Sequence, residues 1–433
     1  MNKKRNVLWL VILAVVCLCI FAACNKVPDI NSYSDDDLGV MGKLVRWLHD
    51  LMGKGNYGWA VVVFTVFLKV IMLPLDFWQR YAGRKSSLKM QQMQPIIEGI
   101  DKRFGANTQR ANEEKQKLYK KQGFSMMSSC LPMIVSMVIF FIMFAGLRNY
   151  SAYSNIQNFK NLSNTYYETY AEQIIDTKGE HFNAELKEVY EQNYKTAYDS
   201  AIKDAKDDEE IAKLKGRIAG IVAAQDVDSD TCEIFKANAI EAVKSYYENN
   251  HESWLWIENV WQPDTWASIM QPYKGGAFAG GGFSTSVKLE SYPDKTEGVD
   301  TYEIIRNAVL ATGGHGRNGS WNGFMILPFM SIGLSFLSMF ISQRMERKNR
   351  KGEVVQQNTQ QAATNKMMMI MMPLMMAYFG FIYTGAFAIY MVVNYTLSIL
   401  TTVAMRWPVE KFVNRNMNKD EKKNKSGKAT YMR

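Results

Sequence analysis

A lysine in the middle of an apolar run constrains this chain more than any other feature. Residues 57–77 read YGWAVVVFTVFLKVIMLPLDF, and Lys69 is the first charge in the run. As a helix rising about 1.5 Å per residue, the run can cross a hydrocarbon core about 30 Å thick, with Lys69 roughly 15 Å from either face. A charge at that depth costs about 2.5 kcal/mol or more, so it belongs against protein or water rather than lipid. The expectation is a polar, hydrated cavity inside a small membrane bundle. Asp76, two helical turns on, reads as a solvated carboxylate at the interface.

Four more apolar runs follow, at 126–147, 324–341, 367–383 and 386–405; the last two are separated by Thr384 and Gly385. The connecting segments differ in sign. The hairpin within 78–125 carries about eleven Lys and Arg against four Asp and Glu, and 342–366 carries about six against two. The tail 406–433 carries about nine against three, while 149–323 carries about sixteen against twenty-seven. The three basic segments alternate correctly around five spans, which places them in the cytoplasm and the acidic segment outside. The fold class expected is an all-α polytopic membrane protein, a five-helix transmembrane bundle with a cytoplasmic helical hairpin and an enlarged extracellular insert.

The first 23 residues read as a lipoprotein-type signal peptide: Lys3, Lys4 and Arg5, an apolar stretch, then Ala22-Ala23-Cys24. Cleavage would leave Cys24 to carry a lipid, and 24–56 as an anchored N-terminus. Within it Met41, Leu44, Val45, Leu48, Leu51 and Met52 recur every three or four residues, an amphipathic helix suited to the bilayer surface. Cys130 and Cys232 stand apart from each other and from His49, His181, His251 and His315, so neither a disulfide framework nor a metal site is expected. No cofactor is implied.

Between the first two runs, Gly105 is a good stop for a helix beginning near Gln79, and Asn107 or Thr108 can cap a second one ending at Lys121. Arg84, Lys85, Lys102 and Arg103 are candidates there for contact with anionic lipid headgroups, the favoured reading, or with the phosphates of RNA. In the acidic segment, 166–219 and 234–249 are helix-compatible. Residues 273–320, with Gly280-Gly281-Gly282 and Gly313-Gly314, read as loop or short strands. Trp254, Trp256, Trp261 and Trp266 read as an interfacial belt rather than a ligand site.

Several stretches together resemble the YidC/Oxa/Alb family of membrane-protein insertases, in its lipoprotein, Gram-positive-like form. They are residues 65–75 (TVFLKVIMLPL), Met90-Gln91-Gln92-Met93-Gln94-Pro95, Leu118-Tyr119-Lys120 with Cys130-Leu131-Pro132, Gln262-Pro263-Asp264, Met371-Met372-Pro373 and 385–390 (GAFAIY). The resemblance implies a hydrated groove open to the cytoplasm and to lipid, in which a cation attracts the acidic segment of an incoming substrate. It implies no enzymatic step. The partners implied are nascent membrane proteins, the Sec translocon, the ribosome and membrane lipids, and not DNA. Carried over by position, the groove residues are Lys69 for the usual Arg, Ser136 for a frequent Gln, and Met391, beside Tyr390, for a frequent aromatic. Lys keeps the charge but loses the planar fork of Arg. A lone intramembrane cation also suits a small-solute or anion transporter, although no inverted repeat accompanies it.

Overall fold

The structure, a computed structural model, describes residues 33–105, 108–121, 126–178, 229–273, 295–315, 321–346, 373 and 378–430. The signal segment 1–23, Cys24, the middle of the acidic segment and the methionine-rich part of 367–383 lie outside these residues, as does the Ser136 side chain. The regular elements described are helices. A short 3-10 turn, Asp35–Leu38, leads into α1 (Gly39–Met52). Then follow α2 (Tyr57–Phe104), α3 (Thr108–Lys121), α4 (Met126–Lys178), α5 (Ser229–Asn250), α6 (Lys295–Thr312), α7 (Ile326–Glu346) and α8 (Gly385–Thr430). Three segments among the described residues are long and apolar enough to cross a membrane: Tyr57–Phe104, Ile326–Arg344 and Gly385–Asn418.

Three elements differ from the sequence expectation. Helix α2 is one helix of 48 residues rather than a span followed by a separate hairpin arm, and it holds Pro74 and Pro95 internally. Each proline removes one backbone donor, but buried Leu68, Leu88, Met93 and Ile97 bracket the two sites and keep the helix packed. Helix α4 likewise runs unbroken for 53 residues, from the second apolar run into the acidic segment. The third difference is α6, which occupies part of the stretch expected to be loop or strand. Its buried Tyr302, Ile305, Ala308 and Val309 recur at helical spacing. The glycines around that stripe masked it in the sequence.

The chain divides into two compact units. The first comprises 1–61, 143–328 and 380–389. Its core joins Ile156, Phe159, Leu162, Tyr166 and Tyr170 of α4 to Ala239 and Val243 of α5 and to the α6 stripe. Of the apolar stripe of α1, Val45 and Leu48 are buried, Met41, Leu44 and Met52 are half-buried and Leu51 is exposed; Val40 and Trp47, off the stripe, are exposed as well. Helix α1 approaches α4 so closely that a Cβ at Gly146 would collide with Met41. The expected tryptophan belt also divides: Trp266 is exposed, but Trp261 is buried and stacks on Tyr57, ring centroids 4.2 Å apart.

The second unit comprises 62–142, 329–379 and 390–433. Within it α2 and α8 run parallel. Phe77 meets Phe412 edge-on at 5.8 Å, and Asn416 Nδ2 donates to Tyr81 Oη at 2.9 Å. Leu88 packs with Val409, Val413 and Met417. After Phe104, the Gly105 N–H closes the helix on Asp101 O at 2.9 Å, and Lys115 of α3 pairs with Asp101.

The glycine contacts give a paired expectation. Gly146→Leu should lower the thermal unfolding midpoint in detergent by the equivalent of about 1–3 kcal/mol, because α1 must move off α4. Gly99 of α2 has nothing within 4 Å of its Cβ position, and Gly99→Ala should leave the midpoint unchanged or raise it by up to about 1 kcal/mol.

Candidate functional site

Along α2, Val61, Phe64, Thr65 and Leu68 are buried, while Val63, Val66, Phe67, Val70 and Ile71 are exposed. The exposed set is an apolar face fit for lipid. Lys69 lies beside the buried set, with its side chain 14% exposed. Its Nζ donates to Ser398 Oγ of α8 at 3.1 Å and lies 2.8 Å from Asp76 Oδ2. The second contact has the distance of an ion pair, while its angle falls short of a hydrogen bond.

Asp76 is therefore not the solvated carboxylate that the sequence suggested: its side chain is also 14% exposed. Seven residues of helix separate the two groups by about 10 Å along the axis. Helical side chains tilt toward the N-terminus, so Asp76 leans back while the long Lys69 stem reaches forward. Pairing removes much of the cost of holding either charge out of water, and one charge left alone there would be strongly unfavourable. One turn further, Arg80 Nη2 donates to Ser398 O and Thr401 Oγ1, both at 3.4 Å. The polar cluster thus comprises Lys69, Asp76, Arg80, Ser398 and Thr401. Ser398 and Thr401 were legible as polar residues three apart within the last apolar run.

The other expected residues fall elsewhere. Tyr390 and Met391 are buried, and they precede Ser398 by about 10–12 Å of helix axis. Lys69 is bonded to neither of them. Arg84, expected as an exposed contact, is buried, with Nη2 3.9 Å from Glu410. Lys85 is partly buried, and Lys102 and Arg103 are exposed in the last turn of α2.

In the first unit, one irregular segment meets the N-termini of all three membrane-length helices. Glu252 Oε2 accepts from Tyr57 N–H at 3.0 Å, and its Oε1 from Gly55 N–H at 2.9 Å. His49 Nε2 lies 3.0 Å from the same Oε1, and His49 Nδ1 lies 2.6 Å from Tyr150 Oη. Asp264 takes Phe324 N–H and Met325 N–H on Oδ1 at 3.0 and 3.2 Å, and Leu327 N–H on Oδ2 at 2.8 Å. Met325 is held in the left-handed region at φ 62 by this cap. At the start of α8, Gly385 N–H donates to Gln262 O at 2.8 Å and Ala386 N–H to Val260 O at 3.2 Å. Asn322 Nδ2 lies within 3.2 Å of the carbonyls of Asn259, Gln262 and Pro263. Glu252 and Asn322 escaped the sequence reading. Asp264 stood in a quoted motif without a role.

Comparison with known proteins shows the family. The profile of the family described as 60Kd inner membrane protein matches residues 47–193 and 234–411, well over half the chain. The chain belongs to that family. It is a multi-pass membrane protein by its apolar helices and this membership. A "Membrane protein insertase YidC" of Caldanaerobacter subterraneus subsp. tengcongensis is 37% identical over 114 residues, 26% of this chain and 52% of the relative. A protein of that name from Stenotrophomonas maltophilia is 34% identical over 122 residues, 28% of this chain and 20% of the relative. One from Campylobacter jejuni is 34% identical over 109 residues, 25% and 20%. The chain thus spans about half the length of the first of these relatives and about a fifth of the others.

Burial pushes the Glu252 carboxyl up, but the bonds from His49, Gly55 and Tyr57 outweigh it and hold the pKa below the ordinary 4.5. A depressed carboxylate stabilises the fold above its unfolded pKa, and that contribution is lost as pH falls through the folded value. The thermal midpoint should therefore drop as pH is lowered from about 5 to about 3. Glu252→Gln should start lower at neutral pH and show a shallower drop.

Proposed function

We propose that this chain inserts apolar helices of other membrane proteins into the bilayer, with Lys69 as the cation that draws in an acidic substrate segment. The observation that carries the reading is the placement of Lys69. It lies in a membrane-length helix on the side away from the exposed apolar face, bonded to Ser398. Family membership and the names of the relatives point the same way.

The convergence of helix N-termini supports five crossings. Helices α2, α7 and α8 all begin at the segment 252–264. A chain leaving along α2 must return there before α7 can start, and α4 makes that return. After α7 it must return again before α8, and the apolar run 367–383 is the available segment. With the basic loops in the cytoplasm, this end of the bundle faces outward, α1 with exposed Trp47 and Leu51 lies at the outer interface, and a lipid on Cys24 belongs on the same side.

In this reading no bond is made or broken. Asp76 is the resting counter-ion of Lys69, and an acidic group on the substrate displaces it. The driving force is burial of the substrate's apolar helix at about 25 cal/mol per Å², helped by the membrane potential at about 2.3 kcal/mol per charge per 100 mV. Buried Tyr390 and Met391 belong to the groove wall in this reading. Exposed Lys102 and Arg103, with Lys85, are the contacts offered to a ribosome or to anionic lipid, and the Sec translocon is the partner for larger substrates.

The test is complementation in cells depleted of their own insertase. Lys69→Ala should cut insertion of a small substrate with an acidic outer segment about tenfold, and Lys69→Arg should restore most of it. Asp76→Asn should favour weakly acidic substrates. Wild-type insertion by Lys69→Ala across several substrates would sink the charge mechanism.

A further inference from the structure

The first unit contains a partly open cavity of about 50 Å³ that the insertion reading does not use. Its wall is made by α4, the end of α5 and the segment 252–270. Asn155, Trp261 and Gln262 line it and are 5%, 2% and 2% exposed. Asn155 Nδ2, Trp261 Nε1 and Gln262 Oε1 are buried polar atoms without a hydrogen-bond partner among the described residues. Such atoms are rare in folded proteins and call for a specific reason. Leaving such an atom unmet is costly, and here three share one cavity.

The chemistry of the three atoms is complementary to one kind of group. Indole Nε1 only donates, and the Asn155 amide nitrogen donates. Gln262 Oε1 accepts. The wall also carries apolar Phe159, Leu162 and Met270. No lysine or arginine lines the cavity. Its one carboxylate, Glu252, is already committed to His49, Gly55 and Tyr57. The site therefore suits a neutral group with an acceptor oxygen, one N–H and a small apolar end. A water-sized group needs about 10–15 Å³ on this scale, so the cavity of about 50 Å³ holds about three to five such groups, enough for an acetamido group.

We propose that this cavity binds the acetamido group of an N-acetylated hexosamine on the outer side of the membrane. The carbonyl oxygen accepts from Trp261 and Asn155, the N–H donates to Gln262, and the methyl packs on Phe159 and Leu162. The sugar ring packs on the aromatic face of Tyr246, which also lines the cavity. The proposal is independent of insertion activity, because the cavity is lined wholly by residues of the first unit.

The experiment is saturation-transfer NMR and calorimetry on the full chain in nanodiscs, with N-acetylglucosamine, glucosamine and N-acetylalanine methylamide as probes. N-acetylglucosamine should bind in the millimolar range and glucosamine at least about tenfold more weakly. Trp261→Phe, which keeps an aromatic ring and removes the donor, should weaken N-acetylglucosamine about tenfold. Asn155→Leu, remote from the Trp261 stack on Tyr57, provides an independent variant and should have a similar effect. Equal binding of N-acetylglucosamine and glucosamine would overturn the proposal. Preference for the peptide-like probe over the sugar would overturn the hexosamine assignment. Absence of binding by every probe, with Asn155→Leu as stable as the wild type, would make the cavity a structural feature only.

Discussion

Every helix begins with backbone N–H groups that have no partner inside the helix. Where a helix starts at the edge of a membrane, those donors meet poor solvent and each unmet one is costly. In this protein one irregular segment answers the problem for three helices. Glu252 and Asp264 supply carboxylates to the starts of α2 and α7, and the carbonyls of Val260 and Gln262 supply the start of α8. The two carboxylates also oppose the positive ends of the α2 and α7 dipoles. The segment can be irregular because its own polar groups are met in return, for example by Asn322 and by the Trp256 indole on Asp264. Gly323 must remain small there, since a Cβ would run into the Asp264 carboxylate.

The second unit solves a different electrostatic problem. A lysine deep in an apolar helix requires a counter-charge, a hydrogen-bonding neighbour or water. Asp76 supplies the first and Ser398 the second. The Lys69 charge is therefore balanced by Asp76 within the same helix.

How much of this was readable varies residue by residue. The buried part of the α1 stripe, the stop at Gly105 and the first, third and last apolar runs were legible because they rest on local periodicity and on single-residue backbone preferences. Helix α6 was not, because a short buried stripe was outweighed by the glycines on both sides. The continuity of α2 from Phe77 into Gln79 was hidden for a different reason: the change from apolar to charged composition marks a membrane boundary, while the helix itself runs on through it. Arg84 looked like a surface cation and is buried, because composition alone does not tell which turn of a basic helix faces α8.

The sequence by itself determined which stretches are apolar enough to span, which loops are basic, and that Lys69 needs a protected place. These follow from water–lipid transfer energies and charge, which depend on residue type and order alone. Only the tertiary structure decided that Asp76 and Ser398 are the partners of Lys69, that Glu252 and Asp264 hold the helix starts, and that Trp261 and Gln262 face a cavity rather than an interface. Those pairings join residues separated in the chain by up to 329 positions. Hydrogen-bond geometry, not residue type, selects among the many partners the composition would allow.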